Sequence, residues 1–182
     1  IENWNTANYR LEEVHLDDGT ILTSSDLSDL AMTGTDSDDT FSIWNDGALA
    51  HGNAGNDTII SANGNQTIDG GSGDDTITDG GAGENTLLGG AGNDTITYSR
   101  SSSNTIKGGT GDDLIKVDST SYAKNTVSNT IEGGTGNDRI QTTAGNDTYL
   151  FNRGDGSDTI RDHGYGYRSG NGFDKLVLGS GI

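Results

Sequence analysis

Five aspartates, Asp57, Asp75, Asp94, Asp113 and Asp138, each hold the sixth place of a glycine-rich run: GNAGND, GGSGDD, GGAGND, GGTGDD and GGTGND. Carboxylates and main-chain carbonyls are hard oxygen donors, the set that suits calcium. Glycine allows the positive-φ backbone that tight ligand turns require. Other chemistries find little support. The chain has no Cys, which removes disulfides and thiolate metal sites. His15, His51 and His163 lie far apart with no His-x-x-x-His spacing, which argues against zinc. No nucleophile motif is present. No glycine run ends in Gly-Lys-Ser/Thr, so none is a phosphate loop. Catalysis is not expected of these residues.

The elements that must position the aspartates follow from the spacing. Two residues after each Asp comes an aliphatic residue: Ile59, Ile77, Ile96, Ile115 or Ile140. The resulting frame is nine residues long. Weaker copies alternate with the strong ones: Ser61–Asp69, Gly80–Leu88, Ser99–Lys107 and Lys124–Glu132. Gly34–Ser42, Thr142–Leu150 and Arg153–Arg161 are degenerate or partial copies. Counted from Gly34, the strong starts are 18, 18, 19, 19 and 25 residues apart. The unit is therefore a pair of nine-mers, which predicts a roll with two strands and two turns per coil. Strong turns stack on one edge and weak turns on the other. The residues that lengthen the steps, Asp79, Tyr98 and the loop Val117 to Ala123, fall beside weak copies. One metal-loaded edge and one largely metal-free edge are expected.

The weak copies carry Gln66, Asn85, Asn104 and Asn129 at the sixth place. Amides there can form an uncharged ladder between turns. A period of two turns Ile59, Ile68, Ile77, Leu87, Ile96, Ile106, Ile115, Ile131 and Ile140 inward. It turns Thr58, Thr67, Thr76, Thr86, Thr95, Thr105 and Thr130 outward as a column that Leu114 and Arg139 interrupt. Trp4 and Trp44 are expected to pack.

Of the 182 residues, 29% are hydrophobic and 30 are glycine, with a net charge of -18. Such a chain repels itself unless cations neutralise it. Its thin aliphatic core gains about 1.5–3 kcal/mol per buried side chain, against about 1–2 kcal/mol of backbone entropy for every residue ordered. Metal binding must supply the difference, so the metal-free middle is expected to be largely unfolded. The acidity argues against nucleic acid, and the ten Lys and Arg residues are scattered. No apolar run is long enough to span a membrane. No signal peptide is read, and the opening Ile1-Glu2-Asn3-Trp4 suggests a fragment of something larger.

Three regions are expected. Residues 1–33 flank the repeats, with strands on either side of Asp18-Gly19 and a short helix capped by Ser25 and running to Leu30. Residues 34–161 form the roll. Residues 162–182, with Lys175-Leu176-Val177-Leu178, are expected to close its open end.

The pattern G-G-x-G-x-D-x-U-x over 34–161 resembles the RTX (repeats-in-toxin, haemolysin-type) calcium-binding family. LEEVHLDDGTIL followed by SSDL, and GNDTYLFNRGDGSDTI, are similar to segments that flank such repeats. The resemblance implies an all-β fold, a right-handed parallel β-roll or β-solenoid. It implies several calcium ions, about four to six, each between two stacked turns. The first would be held by Asn53, Gly55, Asp57, Gly70, Ser72 and Asp75. The second would take Gly71, Gly73, Asp75, Gly89, Ala91 and Asp94. The third would take Gly90, Gly92, Asp94, Gly108, Thr110 and Asp113. The fourth would take Gly109, Gly111, Asp113, Gly133, Thr135 and Asp138. Asp39 and Asp158 stand where further sites could form. The resemblance also implies a protein secreted through type I machinery that folds outside the cell on meeting calcium. The open alternatives are a roll that binds a glycan, a partner or ice through its outward threonines, and an accessory domain of a secreted hydrolase.

Overall fold

The computed structural model describes residues 13–15, 21–23, 32–44, 46–99, 103–118, 127–143, 145–163 and 173–180. Near the N-terminus, β1 (Glu13–His15) pairs antiparallel with β2 (Ile21–Thr23), Val14 opposite Leu22. Both lie where the Asp-Gly dipeptide predicts a hairpin. The turn itself and the expected Ser25–Leu30 helix lie outside the described residues.

The other strands are parallel and build two sheets. The first holds β4 (Thr40–Ile43), β6 (Thr58–Ser61), β8 (Thr76–Asp79), β10 (Thr95–Tyr98), β12 (Leu114–Val117), β14 (Arg139–Thr143) and β16 (Thr159–His163), in that order. The second holds β3 (Met32–Thr33), β5 (Leu49–Ala54), β7 (Thr67–Ser72), β9 (Thr86–Ala91), β11 (Thr105–Thr110), β13 (Thr130–Thr135), β15 (Thr148–Phe151) and β17 (Lys175–Leu178). The chain changes sheet at every turn, so each strand pairs with the strand two places on. This is the parallel β-roll of paired nine-mers.

Register follows the aliphatic column. Ile59, Ile77, Ile96, Ile115 and Ile140 stack across the first sheet. Ile68, Leu87, Ile106 and Ile131 stack across the second, and Tyr149 continues the row. All nine aliphatic residues are buried and share one core. One or two side chains per strand fill the space between the sheets, which leaves a core only one row deep on each sheet.

The outward threonines do not form one column. Thr58, Thr76 and Thr95 lie on the first sheet, where Leu114 and Arg139 follow. Thr67, Thr86, Thr105, Thr130 and Thr148 lie on the second without interruption. Successive nine-mers face opposite ways, so the linear pattern merges two faces.

Two of the extra residues find room by turning inward. Asp79 ends β8 and Tyr98 ends β10, and both are buried. A buried carboxylate needs donors, and Asp79 has them. Gly81 N–H donates to its Oδ1 at 3.1 Å, and Ser99 N–H to its Oδ2 at 3.2 Å. The longer insertion leaves β12 after Val117, and residues 119–126 lie outside the described set. Trp44 corrects an expectation. Ile43 takes the inward place at the end of β4, and the indole that follows is 65% exposed rather than packed. Trp4 lies outside the described residues. Within the segment expected to close the roll, β17 continues the second sheet, pairing with β15, and Leu176 and Leu178 stay exposed.

Candidate metal edge

Each strong turn leaves a strand of the second sheet and enters one of the first, with its Asp as the last residue before the new strand. That placement stacks Asp39, Asp57, Asp75, Asp94, Asp113, Asp138 and Asp158 along one edge. Each main-chain N–H donates to Oδ1 of the next Asp up the roll. The distances are 2.7 Å from Asp39 to Asp57, 2.7 Å to Asp75, 2.8 Å to Asp94, 2.8 Å to Asp113, 2.8 Å to Asp138 and 3.0 Å to Asp158. The insertion of residues between β12 and β13 leaves this ladder intact.

The second carboxylate oxygen is the informative one. Oδ2 of Asp57, Asp75, Asp94, Asp113 and Asp138 is buried and has no hydrogen-bond partner. A buried acceptor left unmade costs about 1–3 kcal/mol, and more when it is charged. Five in a row, all on one edge, call for cations.

Carbonyls converge on the same places. A Cβ built on Gly70 would run into Asp75 Oδ2 and the Gly89 carbonyl oxygen. One on Gly89 would meet Asp94 Oδ2 and the Gly108 oxygen, and one on Gly108 would meet Asp113 Oδ2 and the Gly133 oxygen. The bare face of the first glycine is where its own Asp meets a carbonyl of the next turn. The carbonyls of Asn53 and Gly55 likewise press against Gly71 and Gly73. Those of Gly71, Gly73, Gly90, Gly92, Gly109 and Gly111 repeat the contact one turn on. The third-place carbonyls of Ser72, Ala91, Thr110 and Thr135 accept N–H groups from the turn below at 2.9, 2.7, 2.8 and 2.8 Å, each keeping a second lone pair. First-place carbonyls thus stand at the carboxylate oxygens, and second- and fourth-place carbonyls stand against the glycines of the next turn. No three His, Cys, Asp or Glu side chains converge among the described residues. An ion on this edge would be held by two carboxylates and several carbonyls.

Asn53 occupies the second place, where the other strong turns have glycine, with φ of 80°. Asn tolerates this left-handed region, and its amide donates to the Gly34 carbonyl at 2.7 Å. Asp39 differs from the rest. Its Oδ2 accepts Thr35 N–H at 2.6 Å and the Thr35 hydroxyl at 2.9 Å, and those bonds lower its pKa. Burial drives Asp75 and Asp94 up to about 6 and Asp113 up to about 7. The ladder N–H pulls each back, and neighbouring carboxylates push further. Asp138 and Asp158 shift upward for the same first reason.

A second ladder, outside the first, was missed in the sequence. The fifth place reads Asp38, Asn56, Asp74, Asn93, Asp112, Asn137. Each of the first five side chains accepts the N–H of the next residue up at 2.7 or 2.8 Å, and Asn137 accepts that of Ser157 at 3.3 Å, the opposite sense to the inner ladder. Strands sit about 4.8 Å apart, so a run of acids would repel. The strict acid–amide alternation separates the charges, and it was there to be read.

The weak edge carries the expected amide ladder. Gln66 N–H donates to Asn85 Oδ1 at 2.7 Å, Asn85 to Asn104 at 2.9 Å and Asn104 to Asn129 at 3.0 Å. It then turns acidic, through Asp147 and Asp174, each accepting at 2.9 Å. Burial lifts Asp147 to about 6.

Gly89 offers a direct test of the edge. Its φ is not positive, so alanine meets no φ strain there, but its Cβ meets Asp94 Oδ2 and Cβ and the Gly108 oxygen. Gly89→Ala is expected to bind at least one calcium ion fewer in an equilibrium dialysis count. An unchanged stoichiometry would show that these oxygens do not share an ion.

The family model for the RTX calcium-binding nonapeptide repeat matches four stretches, residues 49–78, 79–97, 98–118 and 125–160, more than half of the chain. No curated protein and no solved structure matches.

Proposed function

The chain belongs to the RTX calcium-binding nonapeptide repeat family, and we propose that it is a calcium-gated folding module of a secreted bacterial protein. The observation that carries the reading is the column of five buried Oδ2 atoms without partners. Without a cation, folding buries that charge uncompensated. With calcium, the same atoms become ligands. The ion sets are those the family resemblance implies: Asn53, Gly55, Asp57, Gly70, Ser72 and Asp75 for the first, and the equivalent places up to Asp138 for the rest. Extracellular calcium modules bind at about 0.1–1 mM. Inside a cell calcium is scarce, and the chain stays extended and fit for export. Outside, calcium folds it, and folding at the exit of a type I secretion channel draws the rest of the chain outward. The extracellular habit of the family supports this placement, and no described helix is long and apolar enough to cross a membrane.

Calcium titrated into chelator-treated protein is expected to raise the strand signal in far-UV circular dichroism cooperatively near millimolar concentration. Magnesium, which demands a tighter octahedral shell, is expected to leave it flat. Equal strand content in chelator and in calcium would overturn the proposal.

A further inference from the structure

The outward face of the first sheet departs from the rest of the molecule. The chain carries 28 Asp and Glu. Yet the two outward places on each strand from β4 to β16 hold no carboxylate. On β6, β8 and β10 these places are mainly threonine: Thr58, Thr76, Thr78, Thr95 and Thr97. On β12, β14 and β16 they include Lys116, Arg139 and Arg161. Lys116, Gln141 and Arg161 are in register across three adjacent strands, and Arg139 stands beside them.

Among the described residues these cations form no salt bridge. Among the described residues the close acid–base contacts are His51 with Asp69 at 3.6 Å and Lys107 with Glu132 at 3.0 Å, both on the other sheet. There each acid sits next to a basic residue in register. The Arg139 guanidinium lies against the Gln141 side-chain oxygen, an uncharged partner. A strongly acidic chain has thus kept the outward places of these strands free of acid, with Asp118 just past the end of β12, and placed there cations that form no salt bridge among the described residues.

We propose that this face binds a linear acidic polysaccharide, its carboxylates on Lys116, Arg139 and Arg161 and its hydroxyls along the threonines. Charge complementarity selects an anion. The outward places of these strands hold no aromatic side chain, and the exposed Trp44 stands past the end of β4, at the opposite edge of the sheet from β16. The cationic end thus lacks the aromatic anchor that a protein interface usually has. Strands about 4.8 Å apart place Lys116 and Arg161 about 9.6 Å from each other, a spacing that suits charges recurring along an extended polymer. The inference rests on the calcium-folded reading, because only the stacked roll aligns the three cations. Calcium on the strong edge also lowers the negative field a polyanion must approach.

The test uses the full chain in saturating calcium with a fluorescent hyaluronate oligosaccharide, followed by anisotropy. Binding is expected to weaken with added salt. The triple variant Lys116→Ala, Arg139→Ala, Arg161→Ala is expected to bind at least tenfold more weakly with an unchanged calcium midpoint by circular dichroism. Lys107→Ala with Lys175→Ala, on the other sheet, is expected to bind as the parent chain does. Unchanged binding by the triple variant would overturn the proposal. So would equal binding of neutral dextran, or tighter binding of poly-glutamate or of phosphatidylglycerol vesicles. A chain that folds equally in chelator and still binds hyaluronate through the three cations would keep this inference and overturn calcium-gated folding alone.

Discussion

Asp94→Asn is expected to make the metal-free chain more folded and the calcium complex at least tenfold weaker at its midpoint. The two effects have separate causes. Asp94 Oδ1 accepts the Asp75 N–H, and an asparagine oxygen can do the same. The weak edge shows this geometry working with amides at Asn85 and Asn104. The substitution therefore keeps the ladder and removes one buried charge, which favours the metal-free roll. Under the proposed ligand sets it also strips a carboxylate from two neighbouring ions, which weakens both. Asp94→Ala loses the acceptor too, and leaves the buried Asp75 N–H unpaired at a cost of about 1–3 kcal/mol. It is expected to be less folded than the parent in chelator and to need more calcium than Asp94→Asn. Asp112→Asn, on the exposed outer ladder, is the control. Melting in chelator and calcium titration of the four proteins read both effects. If Asp94→Asn and Asp112→Asn raise the midpoint equally, the inner column does not hold the ions.

Acid is expected to do part of the work of calcium. Burial raises Asp75 and Asp94 to about 6 and Asp113 to about 7 in the folded chain, from 3.8. A carboxyl with a raised folded pKa favours folding most when it is protonated. That stability is complete below the unfolded pKa and is lost as pH climbs through about 6 to 7. At neutral pH the metal-free roll has lost it. Strand signal in chelator should therefore grow as pH falls from 7.5 to 5. Protons and calcium compete for the same oxygens, so the calcium midpoint should rise over the same range, and calcium binding near pH 6 should release protons. Circular dichroism in chelator and calcium titrations at several pH values check both. A chelated spectrum flat across this range would mean that the Asp column does not limit folding.

Much of this was legible in the sequence because the repeat is a local code. The nine-residue frame marks the turn, the strand and the inward Ile, and the choice of Asp or Asn at the sixth place separates the two edges. Asp57 and Asn85 could be assigned to opposite edges from spacing alone. Three things could not. The first is the division of labour within each carboxylate, Oδ1 to a neighbouring N–H and Oδ2 left for a cation, since it depends on the turn stacked above. The second is the fate of the extra residues: Asp79 and Tyr98 turn inward because the coil interior has donors and space there, which no count of residues reveals. The third is the outer surface. A linear pattern lists Thr76, Thr86 and Thr95 together, but the roll sends the middle one to the opposite sheet, and only that sorting gathers Lys116, Arg139 and Arg161 onto one sheet face. The sequence by itself determined the repeat, the strands and the acid that would meet a metal, because each is set within nine residues. The tertiary structure decided which oxygens lack partners and which side chains share a face, because both are contacts between coils 18 to 25 residues apart.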